Sequence, residues 1–154
     1  MNTSDCCGVF TRGVIDSICA ERKELYNPVL FCGDKQKTSL ICKSIAEHFI
    51  NLKKRVSWIT ADEYTHMLID ALMLRKINDF RTMLFPCDIL IVENVETLSG
   101  RQSTQDCFYS LFDWVYESGG QIVLSSTMTP YRINRLEDRV RTQLQAGICC
   151  HIDE

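Results

Sequence analysis

Glycine and proline are scarce, seven and three in 154 residues, so no flexible linker or proline-rich segment divides the chain. No internal repeat appears. Nowhere is there an unbroken apolar run near the about 18 residues that a membrane-spanning helix needs. Met1 to Cys7 lacks both the basic region and the apolar stretch of a signal peptide, and no membrane partner is expected. A net charge of −3 gives no global pull toward nucleic acid. With three histidines and no C-x-x-C pair, zinc-like spacing is missing and no metal site is expected.

Cysteine, by contrast, is plentiful. Nine residues, an odd number, fall at 6, 7, 19, 32, 42, 87, 107, 149 and 150. Several sit inside apolar runs, where a free thiol behaves as a small hydrophobe. A reduced, cytoplasmic protein is the economical expectation. The adjacent pairs Cys6-Cys7 and Cys149-Cys150 are the alternative redox reading. With 45% apolar and 24% charged residues, the composition is that of one globular domain. We read residues 1–9 as a tail and 10–154 as that domain.

The chain is organised around Asp88-Ile89-Leu90-Ile91-Val92-Glu93-Asn94. Four consecutive apolar residues suit a parallel strand buried on both faces. The run ends in a carboxylate and an amide, where open α/β sheets bind ligands. Around it, helical and strand patterns alternate. Val9 to Leu25 has a helical rhythm that Asn27-Pro28 breaks, because the residue before proline avoids the helical region. Strands follow at 29–32, 56–59, 88–92, 121–126 and 147–152. Helices are predicted over 40–52, from Thr60 or Asp62, over 76–84 and over 103–117, the last stopped by Gly119-Gly120. A short arginine-rich helix follows Thr129-Pro130. This alternation predicts a three-layer α/β/α sandwich on a five-stranded parallel sheet.

Gly33-Asp34-Lys35-Gln36-Lys37-Thr38-Ser39 joins the first strand to its helix. A phosphate-binding loop uses glycines to turn backbone N–H groups toward phosphate, a lysine for the outer phosphates and a hydroxyl for Mg²⁺. Gly33, Lys37, Thr38 and Ser39 echo that set. The later glycine is missing, and Asp34 puts a negative charge where an anion would bind. Taken alone, this is an ordinary polar turn.

Taken in order, these stretches resemble the ATPase domain of the bacterial replication initiator DnaA, an AAA+ protein of the P-loop NTPase class. Asn27-Pro28-Val29-Leu30-Phe31 looks like the entry to its first strand. Ala71-Leu72 through Phe80 is similar to its A-L-x-x-x-x-I-x-x-F segment, and Asp88 through Leu98 to its D-x-L-L-I-D-D-I-Q-x-L. Thr104-Gln105-Asp106, Gly120 through Ser126, Pro130 and Leu136 through Arg141 continue the series at near-constant spacing. The likeness covers about residues 10–153.

The departures fall on the family's chemistry. Its paired acids become Glu93 and Asn94, and an amide cannot take a proton from attacking water. Its acidic sensor is Thr127. Its arginine finger, in an S-R-F segment, falls on Gln143 within Thr142-Gln143-Leu144. In GTPases such an arginine is worth about 10³–10⁵ in rate. The resemblance therefore implies lost hydrolysis and at most weak affinity for ATP or ADP with Mg²⁺, so no resident cofactor is expected. Because the sequence stops after its fifth strand, the helical lid and the duplex-reading helix-turn-helix are expected to be absent, and sequence-specific DNA binding with them. Of the family's single-strand contacts, Ile69 keeps the apolar one, while Ser103 replaces the basic one with Arg101 nearby. Arg132, Arg135, Arg139 and Arg141 form a basic cluster beside the finger position. The preferred reading is a hydrolysis-deficient AAA+ domain that docks on full-length DnaA or another replication AAA+ protein and regulates initiation. A weak ATPase and a single-stranded-DNA module are the alternatives.

Overall fold

The computed structural model describes residues 8–152. The Cys6-Cys7 pair and most of the expected tail lie outside these residues. The chain order is α1 (Val9–Cys19), β1 (Val29–Gly33), α2 (Lys35–Asn51), β2 (Val56–Thr60), α3 (Ala61–Met73), α4 (Ile77–Leu84), β3 (Ile89–Glu93), α5 (Gln102–Glu117), β4 (Gln121–Ser126), α6 (Asp138–Gln145) and β5 (Ile148–Ile152). Short 3₁₀ turns follow β3 at Val95–Leu98 and β4 at Pro130–Arg132.

The five strands form one parallel sheet in the order β2-β3-β4-β1-β5. Side chains on a strand alternate between its two faces, so an unbroken apolar strand must be covered twice. In β3, Ile89 and Ile91 pack with α1 and α2, through Val14, Ile18, Ile41 and Ile45. Leu90 and Val92 pack with α3 to α6, through Leu68, Phe108, Phe112 and Val140. Four of these strand residues are at most 1% exposed, each contributing about 1.5–3 kcal/mol of apolar burial. Two apolar layers thus sandwich the sheet, as the alternation predicts.

Polar side chains set the strand starts. Asn27 accepts from Ile122 N at 2.8 Å and donates to Gly120 O at 2.9 Å, fixing the entry to β1 beside β4. Asp88 accepts from the backbone of Arg55 at 2.7 Å and pairs with its guanidinium at 3.1 Å, fixing β2 beside β3. That arginine holds the Asp88 carboxyl below the usual carboxylate range.

Two boundaries differ from the sequence expectation, and at α3 the structure selects one of the two N-caps that the sequence offers. Helix α1 stops at Cys19, and Glu21 takes a positive φ of 59°, well before the proline break. Helix α3 is opened by Thr60, whose hydroxyl accepts from Glu63 N at 3.0 Å while the Glu63 side chain accepts from Thr60 N at 3.2 Å. This reciprocal pair satisfies two otherwise orphaned donors. The arginine-rich stretch is a 3₁₀ turn, a loop and then α6, so Arg132 and Arg135 stand outside the helix that carries Arg139 and Arg141. No helix among the described residues is long and apolar enough to cross a membrane.

Candidate functional site

The carboxyl ends of β1, β3 and β4 lie side by side, because β4 pairs with both of the others. This gathers Gly33, Lys37, Thr38, Glu93, Asn94 and Thr127 at one edge of the sheet. Gly33 has φ +147°, and a β-carbon there would sit 2.0 Å from Ile152 O, so only glycine permits this approach to β5.

Between β1 and α2 there is one residue, Asp34. Its carboxylate accepts from Lys37 N at 3.0 Å, which makes it the N-cap of α2. A helix N-terminus presents unpaired N–H groups and a partial positive charge that favours anions. Here the chain supplies that anion itself. Thr38 is 1% exposed, and its hydroxyl turns back to donate to Lys35 O at 3.2 Å. Ser39 is exposed to solvent.

Glu93 ends β3 at 6% exposure. One of its oxygens accepts from the indole N–H of Trp58 at 2.7 Å, tying it sideways to β2. Asn94 follows at φ 59° and ψ 50°, a left-handed conformation that asparagine tolerates well, and its N–H donates to Ser125 Oγ at 3.0 Å. Burial, reinforced by the Glu93 charge, pushes the Cys42 thiol on α2 up, despite a hydrogen bond with Ser125. Glu96, absent from the candidates the sequence offered, belongs to this edge. It accepts from the Thr127 hydroxyl at 3.1 Å and from Thr127 N at 3.4 Å. Its other oxygen is buried with no hydrogen-bond partner among the described residues. Because it follows a left-handed residue in a 3₁₀ turn, strand alternation does not point to it.

The basic cluster does not form one face. Arg139 pairs with Asp106 at 2.6 Å and Glu137 at 2.8 Å, and lies over the Tyr109 ring at 4.3 Å. Arg141 turns inward, donating to the carbonyls of Pro130, Ile133 and Leu136. Gln143 is 6% exposed and donates to Tyr109 O at 2.9 Å and Asp113 at 3.2 Å. As an interface candidate Gln143 is therefore corrected: it fastens α6 to α5 and does not project outward. Arg141 is half-buried, with three of its five N–H donors turned onto the preceding loop. Arg132 and Arg135 remain exposed. Arg132 flanks a shallow groove of about 500 Å³ with Glu96 and Ser99.

A profile of the bacterial DnaA ATPase domain matches residues 8–151. The chain belongs to the bacterial DnaA ATPase domain family. The chromosomal replication initiator DnaA of Geobacter sulfurreducens is 30% identical over 147 residues, which are 93% of this chain and 33% of that protein. The chain thus spans about a third of the length of that relative. AMPPCP-bound DnaA from Aquifex aeolicus superposes with a TM-score of 0.89 at 26% identity, over 93% of this chain and 45% of that one. A replication initiator DnaA bound to AMPPCP and single-stranded DNA gives 0.88 at 25% identity, over 95% and 46%. The expected AAA+ fold is therefore the fold observed, and the described residues contain no helical lid.

Against the general phosphate-loop pattern, the DnaA-family loop of this chain is short. G-x-x-x-x-G-K places two more residues between its first glycine and its lysine than separate Gly33 from Lys37. Ile69 and Arg101 do come together, lining one open groove of about 450 Å³ with His66 and Leu72. Ile69 is 47% exposed, and Arg101 is paired with Asp62 at 3.0 Å.

Proposed function

We propose that this DnaA-family domain works through protein contacts and not through ATP turnover, as a regulator of replication initiation. The observation that carries the reading is Asp34, whose carboxylate occupies the N-terminus of α2 across a one-residue link. A triphosphate there would meet a like charge and find no backbone loop to wrap it. The remaining residues fit Mg-ATP poorly. Thr38 is buried with its hydroxyl engaged, Glu93 is held by Trp58, and the Asn94 amide cannot accept a proton from water. Relatives solved with AMPPCP bind that analogue, and in this chain we infer weak affinity for nucleotide or none.

Family members related by head-to-tail contacts would make a heterologous, open-ended interface, which a domain with one competent face caps instead of extending. Arg132 and Arg135, exposed and in no ion pair among the described residues, are the contact candidates on this side, whereas the equally exposed Arg139 is held by Asp106 and Glu137. The test is capture of full-length DnaA from the same source, loaded with ATP or ADP, on the immobilised domain. Retention of the ATP form by wild type and by Arg132→Lys, with loss in Arg132→Glu, supports docking. No retention by wild type, or retention undiminished in Arg132→Glu, removes it.

A second reading has its own observation, the shared groove of Ile69 and Arg101. A single-stranded-DNA site needs repeated cations and stacking rings, and its affinity falls with salt. Oligonucleotide anisotropy at two salt concentrations distinguishes it: salt-sensitive binding lost in Arg101→Ala favours the DNA module.

A further inference from the structure

A cavity of about 230 Å³ opens between α3, α4 and α5, and it shares no residue with the nucleotide-edge candidates. Its walls are mostly apolar and include three aromatic rings, Tyr64, Phe80 and Trp114. Tyr64 and Phe80 meet at 5.3 Å between ring centroids, and Leu68, Leu84 and Leu111 close the floor. Trp114, 40% exposed, stands at the mouth with Arg81 over its ring at 5.9 Å.

The charges at this mouth are unbalanced. Asp106, the carboxylate lining the cavity, is taken by Arg139 at 2.6 Å. Arg81 makes no ion pair with any described residue. Its field reaches inward: burial raises the Tyr64 hydroxyl and the Cys107 thiol, and Arg81 opposes the rise at both. An apolar chamber with one converging cation is the usual form of a small-ligand site. An engineered apolar cavity of about 150 Å³ accepts benzene, so this one has room for a one- or two-ring body.

We propose that the cavity binds a small aromatic monocarboxylate, its ring among Tyr64, Phe80 and Trp114 and its carboxylate on Arg81. Ring edges and faces of the three aromatic walls favour a flat ligand over a branched one. The guanidinium fork matches a carboxylate bidentately and stays stacked on Trp114 while doing so. This inference is independent of the docking function and of the nucleotide reading.

The test is a titration of the ¹⁵N-labelled full chain with indole-3-acetate, followed at the Trp114 indole N–H, which Trp114→Phe assigns. Saturable shifts at Trp114 and at backbone amides around Leu68 and Leu84 are expected. Binding should weaken about tenfold in Arg81→Gln, the size of one lost charge-assisted hydrogen bond. Neutral indole should bind with the same affinity to both proteins. Ser110→Phe, which plugs the mouth from a half-buried position, should abolish the shifts without touching the floor. No saturation through low millimolar ligand overturns the proposal, as does equal affinity for wild type and Arg81→Gln. Shifts confined to residues outside the cavity overturn it too.

Discussion

Replacing Asp34 tests the loop most cleanly, because one side chain is given two jobs there. Its carboxylate satisfies the Lys37 N–H at 3.0 Å and places a negative charge on the positive end of a 17-residue helix. Losing an N-cap acceptor costs about 0.5–2 kcal/mol, and the charge–dipole part alone about 0.3–1 kcal/mol. Helix α2 carries Ile41, Cys42, Ile45, Ala46 and Phe49 into the core, so the loss is felt by the whole domain. Asp34→Ala should therefore lower stability by about 1 kcal/mol, or about 2–4 °C in Tm for a chain of this length. Asp34→Asn keeps an acceptor and loses only the charge, so it should fall between alanine and wild type. Urea unfolding with the slope held constant reads all three. An alanine variant as stable as wild type would refute the assignment of Asp34 as the helix's own anion. The loop would then be open to phosphate after all.

Arg141→Met should cost about 1–3 kcal/mol, since it strips donors from the carbonyls of Pro130, Ile133 and Leu136. Chemical denaturation checks this, and a neutral result would mean that water replaces the guanidinium. Stability should also fall at high pH. Burial raises Cys42, Cys87 and Tyr64 above their unfolded values, so the folded state keeps them neutral where the unfolded chain ionises. Their contribution is full below about pH 9 and is lost as pH rises above it toward the folded values. Urea midpoints measured from pH 7 to 10 report it, and Cys42→Ser should flatten the slope.

The sheet was legible because its strands obey one simple rule. Ile89 to Val92 is apolar at every position, and a strand covered on both faces reads that way in any α/β domain. The turn signals at Asn27-Pro28 and Gly119-Gly120 were legible for the same local reason. Where tertiary contacts decide, the sequence misleads. Nothing local ends α1 at Cys19, since the nearest breaker lies eight residues on. The four arginines look like one cationic face only if a single helix carries them. The 3₁₀ turn and loop before α6 scatter them: Arg132 and Arg135 stand in solvent, Arg139 lies at the surface on Asp106 and Glu137, and Arg141 turns onto the loop. Glu96 was overlooked because its place at the edge depends on the left-handed Asn94, not on spacing. Asp34 was read from the sequence only as a charge opposed to phosphate. Its part as a helix cap needed the one-residue link to be seen.

Calorimetry of the wild-type domain with Mg-ATP tests the central claim most directly. The reading of Asp34, Thr38 and Glu93 predicts no saturable heat at micromolar protein and nucleotide, and no turnover above a Lys37→Ala control. A dissociation constant in the low micromolar range or tighter would contradict it, because about 8 kcal/mol of binding requires the phosphate cradle that the proposed reading denies to this loop.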